Sequence, residues 1–228
     1  MGANFNYLKG SHNPFNFLRS LHFDSKFYQE NPFYFHPWGI IVFCGPQSSG
    51  KTLSAIKAVK KIAADYPNAL ICSNLPIVGI DRDIIPFTDY SQLTSLENGT
   101  NGIIFLIDEI HVLWNSLESK NIPISEMAIF AQMRKQRRLI IGTSQVYGRI
   151  AKPIREQLRY CVKCRNILKY IQINTCIDPN GETAKGETSD LQIDGEEVFK
   201  TWFIHSPSDY QAYDTLTQIK RLKRGEKK

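Results

Sequence analysis

The residues from Gly45 to Thr52, which read GPQSSGKT, have the composition of a phosphate-binding loop. Glycines let such a loop turn its backbone N–H groups around phosphate oxygens, and a helix that follows directs its positive end at them. In this pattern Lys51 bridges the β- and γ-phosphates, and the hydroxyl of Thr52 binds Mg²⁺. The loop is therefore predicted to bind ATP with Mg²⁺ through Gly45, Pro46, Gln47, Ser48, Ser49, Gly50, Lys51 and Thr52.

Two adjacent acids, Asp108 and Glu109, end the apolar run IIFLIDE. A buried strand that delivers two carboxylates needs a chemical reason, because burying an uncompensated charge is costly. Beside a phosphate loop, Asp108 would hold the magnesium, and Glu109 would orient or deprotonate an attacking water. A carboxylate in that position favours hydrolysis over transfer of the phosphoryl group to a second substrate.

Gln145 ends another apolar run, IIGTSQ. We expect its strand to lie beside the strand that leads into the phosphate loop. The amide of Gln145 would then reach the γ-phosphate and the attacking water, which makes it a third candidate catalytic residue.

Strands and helices that alternate along the chain must position these residues. Helices are predicted at 50–64 and at 123–136, the second with Ser125 as its N-cap. Short apolar runs predict buried strands at 39–44, 69–75, 103–109, 138–145 and 159–168. This alternation is typical of an α/β protein with a mainly parallel sheet flanked by helices.

The remaining segments differ in character from this core. Residues 168–204 alternate in polarity around Pro-Asn-Gly and Asp-Gly turns, which predicts an antiparallel β-ribbon appended to the sheet. Residues 1–38 are aromatic-rich and are expected to be an irregular extension. The predicted organisation is thus an extension (1–38), one ATPase domain (39–215) that includes the ribbon, and a basic tail (216–228).

Positive charge is concentrated in the segment 131–170. This segment contains eleven basic residues and one acidic residue, Glu156. Its net charge is therefore eleven minus one, or +10, in a chain whose net charge is +6. So many uncompensated charges repel one another unless a polyanion is near, which favours nucleic acid as a partner. The basic residues are Arg134, Lys135, Arg137, Arg138, Arg149, Lys152, Arg155, Arg159, Lys163, Arg165 and Lys169.

Composition excludes several classes of protein. Hydrophobic residues make up 42% and charged residues 22%, as in globular domains, and no apolar stretch reaches the roughly 18 residues of a membrane span. Five cysteines at irregular spacing, among them the lone pair Cys161 and Cys164, suggest reduced core residues rather than disulfides or a zinc site. The expected location is the cytoplasm.

The segment from Met133 to Arg155, MRKQRRLIIGTSQVYGRIAKPIR, resembles a region of the FtsK–HerA superfamily, in which an arginine precedes a strand that ends in Thr-Gln or Ser-Gln. With the strand and Ser-Asn-Leu-Pro element that follow the first predicted helix, the chain is similar to the ATPase domains of zonula occludens toxin-like phage assembly proteins and to small viral genome-packaging ATPases. The resemblance covers roughly residues 39–160. It implies a RecA-like P-loop NTPase fold and a homo-oligomeric ring that moves DNA.

The same resemblance suggests an arginine that reaches into the neighbouring subunit's nucleotide. Arg134 matches the family's position, and Arg155 is the second choice; both also fit a simple basic face. Toxin-like proteins continue into a membrane span, whereas this chain ends in a charged tail, so we expect a motor without a span of its own that acts at a capsid or portal vertex.

The sequence therefore predicts an ATP-hydrolysing DNA motor, most consistent with packaging of a viral genome. A phage extrusion ATPase would differ by a membrane partner. A nucleotide or small-molecule kinase would form a phosphorylated product and consume little ATP without its acceptor. A DNA-binding protein with a relict nucleotide site is disfavoured by the intact Lys51, Thr52, Asp108 and Glu109.

Overall fold

The computed structural model describes residues 14–122, 124–180, 193 and 195–212. The chain divides between Tyr34 and Phe35 into a small N-terminal unit and a unit that holds the rest. Predictions about 181–192 and about the basic tail at 216–228 lie outside the described residues.

The N-terminal unit contains a helix, α1 (Pro14–Glu30), where an irregular extension was predicted. The prediction was wrong because it overlooked two local signals. Proline at a first helical position loses no hydrogen bond, since the N–H it lacks would be unpaired there. Phe15, Leu18 and Leu21 then recur at a spacing of three residues, which places them on one side of a helix.

The second unit is built on a sheet that has eight strands within the described residues, in the order β3-β2-β4-β5-β1-β6-β7-β8. The strands are β1 (Gly39–Cys44), β2 (Leu70–Ser73), β3 (Ile85–Pro86), β4 (Ile103–Ile107), β5 (Arg138–Ser144), β6 (Leu158–Ile167), β7 (Ile171–Asp178) and β8 (Glu196–Ile204). The described helices of this unit are α2 (Lys51–Asp65), α3 (Gln92–Ser95), α4 (Ile110–Leu113), α5 (Ile124–Gln132) and α6 (Lys152–Arg155).

Strands β1 to β6 pair in parallel, while β6–β7 and β7–β8 pair antiparallel. The predicted α/β fold, a mainly parallel sheet with an antiparallel ribbon, is therefore confirmed. The ribbon joins the sheet edge to edge, because β7 is bonded along β6 from Ile171 to Ile177. Strand β5 lies between β4 and β1, as expected from the predicted position of Gln145.

The apolar strands form a core on each face of the sheet, because neighbouring residues of a strand point to opposite sides. In β4, Ile103, Phe105 and Ile107 pack in one core, whereas Ile104 and Leu106 pack in the other. The first core includes side chains of α4, α5 and α6, and the second includes those of α2. Helices thus cover both faces, and the carboxyl ends of the parallel strands share one edge.

The predicted helix at 123–136 is shorter at both ends. Helix α5 begins at Ile124, so Ser125 lies inside its first turn and is not the N-cap. The helix ends at Gln132, and the chain turns through Arg137, whose φ is 49°. A left-handed residue of this kind ends helices. Arg134 therefore lies in the turn before β5 and not in the helix.

None of the helices in the described ranges combines the length and the apolar character that crossing a bilayer requires.

Candidate functional site

The segment Gly45 to Thr52 connects the end of β1 to the start of α2, as predicted for a phosphate loop. Gly50 has φ 77° and ψ 15°, a left-handed conformation that glycine adopts without strain. Lys51 is the first residue of α2, so the unpaired N–H groups of the helix start within the loop. The loop thus presents the N–H groups and the helix dipole that favour bound phosphate.

A shared carboxylate oxygen joins the loop to the predicted acids. The hydroxyl of Thr52 donates to Oδ1 of Asp108 at 3.0 Å, and the hydroxyl of Thr143 donates to the same oxygen at 2.6 Å. Hydroxyl and carboxylate oxygens are ligands that Mg²⁺ prefers. Thr52 and Asp108 are thus close enough together for both to be ligands of one magnesium ion.

This donor set fits magnesium bound with a nucleotide better than a metal bound by protein alone. Over the residues that the structure describes, no group of three or more His, Cys, Asp or Glu side chains could hold a metal ion. Magnesium usually binds through one or two carboxylates and completes its shell with water and substrate phosphates. Thr52 and Asp108 would supply the protein's ligands to the magnesium.

Asn74, which the sequence analysis did not single out, fixes the backbone of Asp108. The amide oxygen of Asn74 accepts from the Asp108 N–H at 2.8 Å, and its Nδ2 donates to the Asp108 carbonyl at 3.0 Å. Asn74 follows β2 directly, beside β4 in the sheet. The available signal was a polar residue at the carboxyl end of a strand next to the acid strand.

Glu109 has a left-handed backbone, with φ 54° and ψ 50°. This conformation is unfavourable for residues other than glycine, and strained residues of this kind cluster at active sites. The Glu109 N–H donates to the hydroxyl of Thr143 at 2.9 Å, which holds the turn in place. Its Oε1 lies 3.8 Å from Nζ of Lys51, so the acid faces the phosphate loop.

Gln145 lies beside Glu109. It follows β5, and its Nε2 donates to Oε1 of Glu109 at 3.4 Å. The side chain is exposed. Gln145 and Lys51 therefore approach the same carboxylate oxygen, one from β5 and one from the loop.

His111 is a further member of this cluster. It is buried, and its Nδ1 lies 3.2 Å from Oε2 of Glu109 and 3.2 Å from the hydroxyl of Ser144. Burial lowers the pKa of His111, Glu109 opposes this effect, and the charges of Arg149 and Lys51 add to it. The imidazole thus lies against the Glu109 carboxylate, whose Oε2 has no hydrogen-bond partner among the described residues.

The two predicted finger arginines each lie near an aromatic ring. Arg134 precedes β5, at the end of the sheet opposite the loop, with its guanidinium 5.8 Å from the ring of Trp38. Arg155 ends α6 and lies 5.5 Å from the ring of Tyr147. Five of the predicted residues thus come together within one chain, namely Lys51, Thr52, Asp108, Glu109 and Gln145.

Part of the predicted basic face serves the fold instead. Arg138 is buried and donates to the backbone carbonyls of Leu93, Thr94 and Leu96, which ties α3 to β5. The two cysteines of the lone pair pack in separate cores on opposite faces of β6, so they cannot bind one ion together.

No model of a known protein family matches the chain, and no curated protein matches it. Solved structures do share its fold. The N-terminal domain of zonular occludens toxin from Neisseria meningitidis is 14% identical with a TM-score of 0.57, over 77% of this chain and 98% of that one. A second solved structure, an isolated ATPase domain, is 11% identical with a TM-score of 0.51, over 91% of this chain and 100% of that one.

The genome packaging NTPase B204 from Sulfolobus turreted icosahedral virus 2, in complex with sulfate, is 14% identical over 75% of this chain and 97% of that one. Its TM-score of 0.47 is too low to support a fold assignment, which rests on the first two structures. The chain has the fold of P-loop ATPase domains, and the fold implied by its resemblance to the FtsK–HerA superfamily is confirmed.

Proposed function

We propose that this protein is an ATPase that couples hydrolysis to the movement of DNA, and that its task is to package a viral genome into a capsid. The observation that carries the ATPase part is the convergence of Lys51, Thr52, Asp108, Glu109 and Gln145 at one edge of the sheet. The solved ATPase domain that shares the fold is in accord with hydrolysis.

Each of these residues has a role that follows from its position. The loop N–H groups and Lys51 would neutralise the charge of the phosphates, and Thr52 and Asp108 would hold the magnesium. When bound there, Mg²⁺ would supply positive charge against the negative charge that develops on the phosphates. Glu109 would accept a proton from the attacking water, and Gln145, bonded to the same carboxylate, would orient that water.

Hydrolysis fits this arrangement better than transfer to a second substrate. A kinase excludes water from the γ-phosphate, whereas Glu109 extends a carboxylate toward the loop from a backbone held in an unfavourable conformation. Such strain persists where the surrounding structure enforces it, as the Thr143 bond does here.

Nucleic acid is proposed as the partner because of one face of the antiparallel extension, which we call the ribbon face. Sheet register aligns Lys163, Thr175 and Lys200 in one row and Arg165, Ile173 and Trp202 in the next. Lys163, Arg165, Lys200 and Trp202 are all exposed, Trp202 by 68%. Basic side chains around an exposed aromatic ring are suited to phosphates and to stacked bases.

The setting is proposed from the resemblance of Met133–Arg155 to packaging motors. It includes a homo-oligomeric ring, a capsid or portal vertex as docking partner, and the host cytoplasm or the virion as location. In a ring, Arg134 would serve the neighbouring subunit's nucleotide, since β5 separates it from its own chain's site by on the order of 20 Å.

The proposal is tested by measuring ATP turnover with and without DNA. We expect phosphate release that requires Mg²⁺ and increases on adding DNA, with binding that weakens steeply as salt increases. Turnover that required a small-molecule acceptor and phosphorylated it would establish a kinase instead. Turnover that DNA does not change, together with a DNA affinity that does not depend on salt, would contradict a nucleic-acid motor.

A further inference from the structure

We propose that Gln172, on strand β7 of the antiparallel extension, is a positioning residue for the phosphate loop. Gln172 is fully buried, and its Nε2 donates to the carbonyl of Ser49 at 2.9 Å. The same nitrogen donates to Oδ1 of Asn174 at 3.0 Å. A strand outside the parallel core thus holds the backbone of the loop directly before Gly50 and Lys51.

The surroundings determine the orientation of this amide. Its nitrogen donates to three acceptors, the Ser49 carbonyl, Oδ1 of Asn174 and, at 3.4 Å, the Ile173 carbonyl, so the NH₂ group faces them. The opposite atom, Oε1 of Gln172, then points at Gly50 and has no hydrogen-bond partner among the described residues. Leaving a buried oxygen unpaired is costly.

The amide occupies the space that a side chain at position 50 would need. A Cβ added at Gly50 would lie 1.9 Å from Oε1 of Gln172, far inside contact distance. Gly50 is therefore required for two reasons, its left-handed φ of 77° and the close approach of Gln172. The loop and strand β7 fit each other at this point.

Asn174 extends the contact to helix α2. The hydroxyl of Ser54 donates to Oδ1 of Asn174 at 3.1 Å, and that oxygen also receives the bond from Gln172. Ser49 lies before the helix and Ser54 in its first turn, with Lys51 and Thr52 between them. Gln172 and Asn174 thereby tie the loop and the helix start to one strand, which fixes where Lys51 and Thr52 are presented.

The inference rests on the proposed function only in that the loop binds ATP. Strand β7 also carries Ile173 and Thr175, the central residues of the ribbon face. Phosphate positioning and the proposed DNA contacts therefore share one strand, on its two opposite faces. The positioning role itself requires no DNA and can be tested in its absence.

The test uses two variants of nearly unchanged volume. Gln172→Met removes the donor, and Gln172→Glu replaces it with a carboxylate that repels both the Ser49 carbonyl and the phosphates. We expect the Kd for MgADP and the KM for ATP to rise about fivefold to thirtyfold for Gln172→Met, as loss of one or two hydrogen bonds implies, and further for Gln172→Glu. Turnover at saturating ATP should stay within about threefold of wild type.

Matched controls and a second position separate positioning from general damage. Gln157→Met and Gln157→Glu change an exposed glutamine in the same ways and should leave both constants unchanged. Asn174→Leu should weaken ADP binding less than Gln172→Met does, and the double variant should be little worse than Gln172→Met alone, because both act through one contact.

The possible outcomes are distinct. A Gln172→Met protein with wild-type ADP affinity, or one that loses turnover at unchanged affinity, would overturn the positioning role. If Gln172→Met does not fold, unchanged ADP affinity in Asn174→Leu would overturn it equally. A wild-type protein that binds no nucleotide would instead refute the proposed function.

Discussion

Thr52 and Asp108 are 56 residues apart in the chain, yet the hydroxyl of one donates to Oδ1 of the other at 3.0 Å. Thr143 donates to the same oxygen from β5. Three segments thus meet at one carboxylate: the loop after β1, the turn after β4 and strand β5. The parallel order β4-β5-β1 brings them together, because all three strands end at the same edge.

The first prediction concerns Lys51 and Glu109, which face each other at 3.8 Å. Lys51→Ala should weaken ATP binding and lower turnover by roughly 100-fold or more, because the charge on the phosphates loses its counterpart. Glu109→Gln should bind ATP normally but hydrolyse it slowly. Equilibrium binding of a labelled nucleotide and single-turnover hydrolysis measure the two effects separately. Near-normal turnover in Glu109→Gln would exclude Glu109 as the residue that activates water.

The second prediction concerns the magnesium site. Thr52→Ala removes the hydroxyl that bonds to Asp108. Half-maximal activity should then require roughly tenfold more Mg²⁺, which is the usual loss of metal affinity when a residue that supports a metal site is removed. Thr52→Ser keeps the hydroxyl and is the matched control, with a wild-type Mg²⁺ requirement. Titration of activity with Mg²⁺ at fixed ATP gives the comparison. An unchanged requirement in Thr52→Ala would remove Thr52 from the site.

The phosphate loop and the two acids could be predicted from the sequence because each motif consists of residues that are adjacent in the chain. Gly45 to Thr52 form one local loop, and an apolar run delivers Asp108 and Glu109 directly. Asn74 and Thr143 lie in sequences quoted above, but their contacts with Asp108 depend on the register of neighbouring strands, which the sequence does not give. The role of Gln172 could not be predicted either, since strand β7 reaches the phosphate loop only after the chain has turned back along β6.

The third prediction concerns the pH dependence of stability and His111. Burial lowers the pKa of His111 below its usual 6.5, so the unfolded chain binds this proton more readily than the folded protein does. The free energy of unfolding should therefore decrease as the pH falls below about 6.5 and through the lower folded value. In His111→Gln this component of the decrease should disappear. Denaturant unfolding between pH 5 and 8 tests it, and parallel curves for both proteins would contradict it.

The fourth prediction concerns the ribbon face. Replacing Lys163 and Lys200 together by alanine should weaken DNA binding and reduce the slope of log affinity against log salt by about one per lost phosphate contact. Trp202→Ala should weaken binding to single strands by about 1–3 kcal/mol with little change in that slope. Lys61→Ala removes an exposed charge on α2 and serves as the control. If Lys61→Ala weakened DNA binding as much per lost charge as the double replacement does, DNA would be attracted by the charge of the whole protein and not by the ribbon face.

The last prediction concerns Arg134, which lies in the turn before β5 and stacks near Trp38, at the end of the sheet opposite the loop. Its own chain's phosphates are a strand's length away, on the order of 20 Å, so any catalytic role must be played in a neighbouring subunit. Arg134→Ala should still bind ATP, yet hydrolyse it on the order of 10³-fold more slowly, as when an arginine finger is lost. Lys135→Ala, an exposed change in the same turn, should leave turnover unaltered.

Mixing experiments separate a role between subunits from damage within one. A mixture of Arg134→Ala and Lys51→Ala proteins contains interfaces that pair an intact Lys51 with an intact Arg134, so it should recover part of the activity that both lack alone. Native mass spectrometry first establishes that mixed oligomers form. Mixed oligomers without any recovered activity would place Arg134 outside the active site, with its contact to Trp38 as its remaining role.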